Sequence, residues 1–163
     1  MMKHRQLIAI LAVFIPVCIS CGNNDTPERE TERSSRTITP THTVGILSED
    51  RQERVAEVNV ALAQTESERN MGLMEVYDMP FDTGMYFIFD DERERSFWMV
   101  NTPLPLDILY MDSNDQIIRI HTNTTPYSDR QIRSGSPAQY VLEVNAGFVS
   151  EHDIREGMYV VLN

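Results

Sequence analysis

Apolar positions recur along most of the chain at every second residue, the spacing of a half-buried strand. Val55 to Ala63 alternates through Val58, Val60 and Leu62 and is read as a strand. Thr65-Glu66-Ser67-Glu68 then has the form of a capping box, so a short helix begins there and carries Arg69, Met71, Leu73 and Met74. Pro80 closes that region. Strand-like pieces follow at Met85–Phe89, Ser96–Val100, Pro105–Met111 and Gln116–His121. The turn residues Asp112-Ser113-Asn114-Asp115 join the last two as an antiparallel hairpin. Thr122–Pro137 reads as a polar loop, and Gln139–Val144 and Met158–Leu162 add two strands, with a short helix between Gly147 and Asp153. Many short strands and two small helices predict an α+β fold with a small curled or barrel-like, mainly antiparallel β-sheet. No glycine-rich strand-to-helix turn of the dinucleotide type is present.

The alternation starts only after a long N-terminal preface. Lys3 and Arg5 precede an apolar run from Leu7 to Val17, the charged and hydrophobic regions of a signal peptide rather than a comfortable membrane span. Cys18-Ile19-Ser20-Cys21 then resembles a bacterial lipobox, with a small residue before the cysteine that would be lipid-modified. Ordinary secretory cleavage and an uncleaved anchor are the competing readings. The residues from Gly22 to about Thr41 are polar, without apolar periodicity, and predict a flexible stalk that could extend roughly 65–70 Å. The chain therefore divides into a signal peptide (1–20), a polar tether (21–42) and a folded domain (43–163), placed in the bacterial cell envelope on a membrane reached through Cys21.

Charge sharpens this picture. The 163-residue chain has a formal charge of −11, and removal of residues 1–20 leaves twelve arginines against 25 acidic residues, a charge of −13. Lys3 is the only lysine. A mature domain without lysine has no Schiff-base amine and no P-loop lysine. Its negative charge argues against nucleic acid as a partner, since that affinity rests on phosphate neutralisation. The same composition fits either an ordinary solvated surface or a saline exterior. Both cysteines, Cys18 and Cys21, lie at the signal boundary, so a lipoprotein would retain no free thiol for a disulfide, a nucleophile or zinc.

Four ordered blocks are similar to the DUF192 family. They are Arg69-Asn70-Met71-Gly72-Leu73-Met74, Gly84-Met85-Tyr86-Phe87-Ile88-Phe89, Phe97-Trp98-Met99-Val100-Asn101-Thr102 with Pro105-Leu106-Asp107-Ile108, and Tyr140-Val141-Leu142-Glu143-Val144 with Gly147. Ile154-Arg155-Glu156-Gly157 fits the turn before the family's last strand. The resemblance runs from about Val55 to Asn163 and implies a compact β-rich domain, often exported, without implying a reaction. The chain departs from the family pattern at Val76, where arginine is usual, and at Asn114, where glycine is common.

Two carboxylates stand out. Asp107 sits in Leu106-Asp107-Ile108-Leu109-Tyr110-Met111, apolar on both strand faces, and so needs a partner, for which Arg69, Asn101 and Thr102 are candidates. Glu143 lies in a similar run. Together they could serve as acid and base in hydrolysis, or one of them could form a structural ion pair with Arg69. Trp98, the only tryptophan, is either a core aromatic or a stacking platform beside Asn101 and Thr102, with Tyr127 and Arg130 opposite. Met71 and Met74, three apart on the helix, raise soft-metal binding, although core packing is the simpler assignment. His42, His121 and His152 show no metal-binding spacing. The sequence thus predicts no metal and no cofactor. The favoured expectation is a tethered module binding a small molecule, glycan or peptide through Arg69, Trp98, Asn101, Thr102 and Asp107. An envelope hydrolase using Asp107 and Glu143 and a structural envelope protein without a ligand are the alternatives.

Overall fold

The computed structural model describes residues 35–163; the signal-type segment, the lipobox with Cys21 and most of the tether lie outside the described residues. Seven strands and two short helices follow one another as β1 (His42–Leu47), β2 (Arg54–Ala63), α1 (Glu66–Met71), β3 (Thr83–Phe97), β4 (Leu106–Met111), β5 (Ile117–His121), β6 (Ile132–Asn145), α2 (Phe148–Glu151) and β7 (Tyr159–Leu162). The strands form one curled half-barrel sheet in the order β5-β4-β6-β3-β2-β1-β7. Its two edges meet at one end, where Gln116 bridges Tyr159 and the Ile117 amide donates to the Met158 carbonyl at 2.7 Å.

The sheet is mixed rather than purely antiparallel, because β2 and β3 pair in parallel, Asn59 opposite Thr83 through Ala63 opposite Phe87. The connection between them holds α1, which is the crossover a parallel pair requires. That helix starts as its sequence predicts: the Thr65 hydroxyl accepts from the Glu68 amide while the Glu68 carboxylate accepts from the Thr65 amide at 2.8 Å. The hairpin through Asp112–Asp115 also forms, with the Asp112 carboxylate accepting from the Asn114 and Gln116 amides.

Three boundaries differ from those expected. β3 continues through Asp90-Asp91-Glu92-Arg93-Glu94-Arg95, so Ser96–Val100 is no separate strand and Trp98 begins a turn. This polar stretch is held by pairing with β6, not by burying a face. Arg93 lies opposite Ala138, and the Arg95 guanidinium bonds the Ala138 carbonyl, pairs with Asp91 at 2.7 Å and stacks 3.9 Å over Phe89. For the same reason β6 starts at Ile132, inside the segment expected to be loop. At the N-terminus, residues 36–41, the expected end of the tether, already bond to the domain: the Arg36 amide donates to Glu75 and the Thr41 amide to Val60.

Both faces of the central strands are covered. On one face a cluster takes a residue from every strand, among them Val44, Val58, Tyr86, Leu109, Ile117, Leu142 and Val160, with Phe148 and Val149 of α2. On the other, Met85, Phe87, Ile108, Tyr110 and Val141 lie beneath Leu73, Val76, Met79 and Met99 from the connecting segments. β4 is accordingly buried along its whole length. Gly84 allows β3 and β6 to close up, since a Cβ there would lie 2.3 Å from the Glu143 carbonyl oxygen.

Asp107 is fully buried on the first face. Its Oδ1 accepts from the Asn123 amide at 2.8 Å, and its Oδ2 accepts from the Gly147 and Val149 amides, each at 3.0 Å. The last two donors open α2, whose own N-cap, Gly147 at φ 95°, has no side chain to offer. Asp107 therefore caps that helix from a neighbouring strand, in place of the expected pairing with Arg69 or bonds from Asn101 and Thr102.

Asp107→Ala would strand three amide donors, each worth about 1–3 kcal/mol when buried without a partner, and is expected to destabilise the domain by about 3–5 kcal/mol. Asp107→Asn keeps one acceptor oxygen and should lose roughly 1–3 kcal/mol. Urea unfolding followed by circular dichroism measures both; an alanine variant within about 1 kcal/mol of wild type would refute the capping role.

Candidate functional site

The opposite face of the sheet carries the second carboxyl, in different surroundings. Glu143 pairs with Met85 on β3 and Ile108 on β4, one register step from the Asp107–Val144 pair. Successive strand positions point to opposite faces, so Glu143 and Asp107 diverge. Glu143 is only 4% exposed, and no hydrogen bond or ion pair reaches its carboxyl among the described residues. Burial without a partner pushes its pKa from 4.5 up to about 8. Tyr110 lies in the same layer, its pKa raised by its own burial and then by Glu143, with its hydroxyl donating to the Ile132 carbonyl at 2.7 Å.

Above Glu143 opens a cavity of about 310 Å³. One wall is α1 and the turn after it, through Arg69, Asn70, Met71, Leu73 and Met74. The floor is Phe87, Phe89 and Glu143, and the facing wall is Ser96, Phe97, Trp98, Thr102 and Gln131. The aromatic rings are fixed against each other: Phe97 meets Phe87 edge-on at 5.0 Å and Tyr110 at 5.8 Å. The α1 wall is fixed from outside by Arg36, which donates to the Gly72 carbonyl and, at 2.9 Å, to the Met74 carbonyl.

Arg69 is in this wall but pairs with neither carboxylate. Its guanidinium bonds the carbonyls of Gln64 and Ile88 and lies 5.0 Å from the Phe89 ring centre, bridging helix and sheet. Trp98 is 55% exposed, so it is a rim residue and not a core aromatic. Thr102 lines the cavity, its hydroxyl donating to the Val100 carbonyl.

The structure thus brings together Arg69, Trp98, Thr102 and Glu143, and leaves out Asn101 and Asp107. Asn101 is an exposed turn residue at φ 54°, and its carbonyl accepts from the Glu75 amide at 2.8 Å. Tyr127 and Arg130, expected as the opposite wall, do not line the cavity. Met71 is 46% exposed and Met74 half-buried; both are wall residues, not core, whereas Met85 and Met111 are buried as expected. Val76, where the family pattern has arginine, is fully buried and offers nothing to the site. His121 is tied to the Arg133 carbonyl at 2.8 Å.

Phe89, Phe97 and Gln131 are site residues that the sequence pattern did not single out. A signal for the first two was present in the conjunction of Phe87, Phe89 and Phe97 with the Gly72-Leu73-Met74 block, but only the β3–β6 register places these rings over Glu143. Gln131 stands in the segment that read as loop and carried no signal.

Two solved structures share the arrangement of strands and helices. One, from Sinorhizobium meliloti 1021 and described as a candidate transcription regulator, is 34% identical, covers 78% of this chain and 98% of its own, and aligns with a TM-score of 0.71. The other, a protein of unknown function from Novosphingobium aromaticivorans DSM 12444, is 26% identical, covers 79% of this chain and 94% of its own, and aligns with a TM-score of 0.70. No curated protein matches the sequence. The family profile described as DUF192, Uncharacterized ACR, matches residues 47–162, from the end of β1 to the end of β7. With the profile spanning every element that builds the cavity and its floor, the chain belongs to the DUF192 family.

Proposed function

We propose that this domain is a binding module for a small organic ligand, held at a membrane of the cell envelope by a lipid on Cys21. The observation that carries the binding role is Glu143: a carboxyl 4% exposed, without a hydrogen bond or ion pair among the described residues, on the floor of a cavity whose walls mix Phe97, Trp98 and Met74 with Arg69, Asn70, Ser96, Thr102 and Gln131. Folding strips most of the water from such a group and leaves its oxygens open only toward the cavity, which costs free energy that an apolar residue would not. A purely structural domain would gain by an apolar residue there. A ligand that supplies the missing partner turns the same group into a specificity element.

The two-carboxylate hydrolase is the weaker reading, because Asp107 faces the other side of the sheet with both oxygens committed to backbone amides. The Sinorhizobium relative is described as a transcription regulator; direct contact with nucleic acid is disfavoured for this chain by a formal charge of −11. The envelope address rests on the n-region, the apolar run and the lipobox, together with a polar tether long enough to hold the domain clear of the headgroups.

Ligand binding is tested by nuclear magnetic resonance with a fragment set of cationic, neutral and anionic aromatics. Hits should shift the Trp98 indole and the Met71 and Met74 methyl signals while leaving Tyr127 unmoved, and Trp98→Ala should weaken them by at least about 1 kcal/mol. A set without a single hit at this cavity would remove the reading.

Glu143 should also govern stability against pH. Its folded pKa, about 8, lies above the unfolded 4.5, so the unfolded chain ionises first as pH rises. Its contribution is therefore intact below about pH 4.5 and is lost as pH climbs through about 8. Glu143→Gln removes that dependence. Urea titrations should show the variant gaining on wild type by a few kcal/mol between about pH 5 and 8, at roughly 1.4 kcal/mol per pKa unit. Parallel stability curves would contradict the desolvated carboxyl.

For the address, mass spectrometry of the mature N-terminus should find a diacylated or triacylated Cys21. An unmodified N-terminus elsewhere, or an intact Met1, would exclude the anchor.

A further inference from the structure

The binding reading leaves open which chemistry the cavity selects, and its floor and walls differ in what they ask of a ligand. Glu143 can be satisfied by a hydrogen-bond donor, most strongly by a charged one, since a pair formed away from water is weakly screened. The walls offer Phe97, the exposed ring of Trp98 and the thioether of Met74, surfaces that accept hydrocarbon and also attract a cation, whereas the Phe89 ring already carries the Arg69 and Arg95 guanidiniums.

Resting on the small-ligand reading, we infer that the cavity selects organic ammonium ions: a protonated amine directed at Glu143, on an aliphatic or aromatic body that fills the space beneath Trp98. Arg69 is the other charged residue lining the cavity, and its bonds to the Gln64 and Ile88 carbonyls and its position over Phe89 hold it in the wall. From β4 the titratable neighbour is Tyr110, whose hydroxyl is already donated to Ile132. From β3 the partner position is Met85, which carries no charge. No resident cation therefore competes for the Glu143 carboxyl among the described residues.

Capture of an amine moves a proton. Near neutral pH the empty site holds Glu143 mainly as the acid, so capture of an ammonium ion forms the carboxylate–ammonium pair and releases one proton to solvent. Affinity for an amine then rises with pH as Glu143 ionises, while affinity for a neutral or anionic ligand of the same body does not.

The test uses n-hexylamine, n-hexanol and hexanoate with the full-length chain in a non-ionic detergent, read by the fluorescence of Trp98, the chain's single tryptophan. Hexylammonium should bind about ten-fold or more tighter at pH 8 than at pH 6, with calorimetry in buffers of different ionisation enthalpy reporting about one proton released per amine near pH 7. Glu143→Gln should weaken hexylammonium by at least about ten-fold, flatten its pH profile and leave hexanol unchanged. The wild-type profile and proton count stand alone should that variant fold poorly. Binding of hexanol or hexanoate at least as tight as that of the amine at pH 8, or full amine affinity in the glutamine variant, overturns the ammonium inference while leaving the ligand-binding reading in place. Failure of all three probes to perturb Trp98 overturns both.

Discussion

Asp107 accepts three backbone amides that no regular element of the fold could satisfy. Two belong to the start of α2 and one to the segment that leaves β5, so a single carboxylate near the start of β4 fixes the end of β6, the helix after it and the return of the β4–β5 hairpin. Around it, Thr124 completes the joint: its hydroxyl accepts from the Leu106 amide and its own amide donates to the Leu106 carbonyl. These bonds let a strand buried on both faces turn into surface segments without stranded polar groups, which a domain of this size could not tolerate in number.

Because Asp107 is spent on this joint, the chemistry of the domain moves to the other face. The acidic residues of β4 and β6 are nearly equal in burial and opposite in surroundings: Asp107 accepts three donors, whereas no hydrogen bond reaches the Glu143 carboxyl among the described residues. What differs is the material packed on each face. The segment after β5 and the start of α2 bring free amides to Asp107, whereas α1, its following turn and the Trp98–Thr102 turn bring side chains, Met71, Leu73, Met74 and Trp98 among them, over Glu143. The cavity exists because those two turns stand apart over β3 and β6 instead of closing on each other.

The rigidity of this site comes from arginines acting as structural clamps. Arg36 grips the turn after α1 through two carbonyls, Arg69 ties the helix to β3, and Arg95 secures the polar extension of β3 through Ala138, Asp91 and Phe89. A planar guanidinium can bond carbonyls while its face rests on a ring. Three of the twelve arginines of the segment after residue 20 thus serve as interior bracing in a strongly acidic chain.

Local chemistry was legible in the sequence wherever neighbours in the chain are also partners in space. The Thr65–Glu68 capping box, the Asp112–Asp115 turn, the short helix after Gly147 and the apolar strands through Val58, Tyr86, Leu109 and Leu142 all follow from residues within a few positions of each other, as does the burial of Asp107 in an apolar run. The DUF192 blocks were likewise readable as ordered local motifs. Tertiary structure alone decided the partners. The parallel β2–β3 pair, the strand character of 90–95 and 132–137, and the capping of α2 by Asp107 all depend on residues brought together over long stretches of chain. The separation of Asp107 from Glu143 turns on a single register step between β4 and β6. Pattern along one strand gives alternation but not which face another element will cover, and that choice made one carboxylate a cap and left the other open at the floor of a cavity.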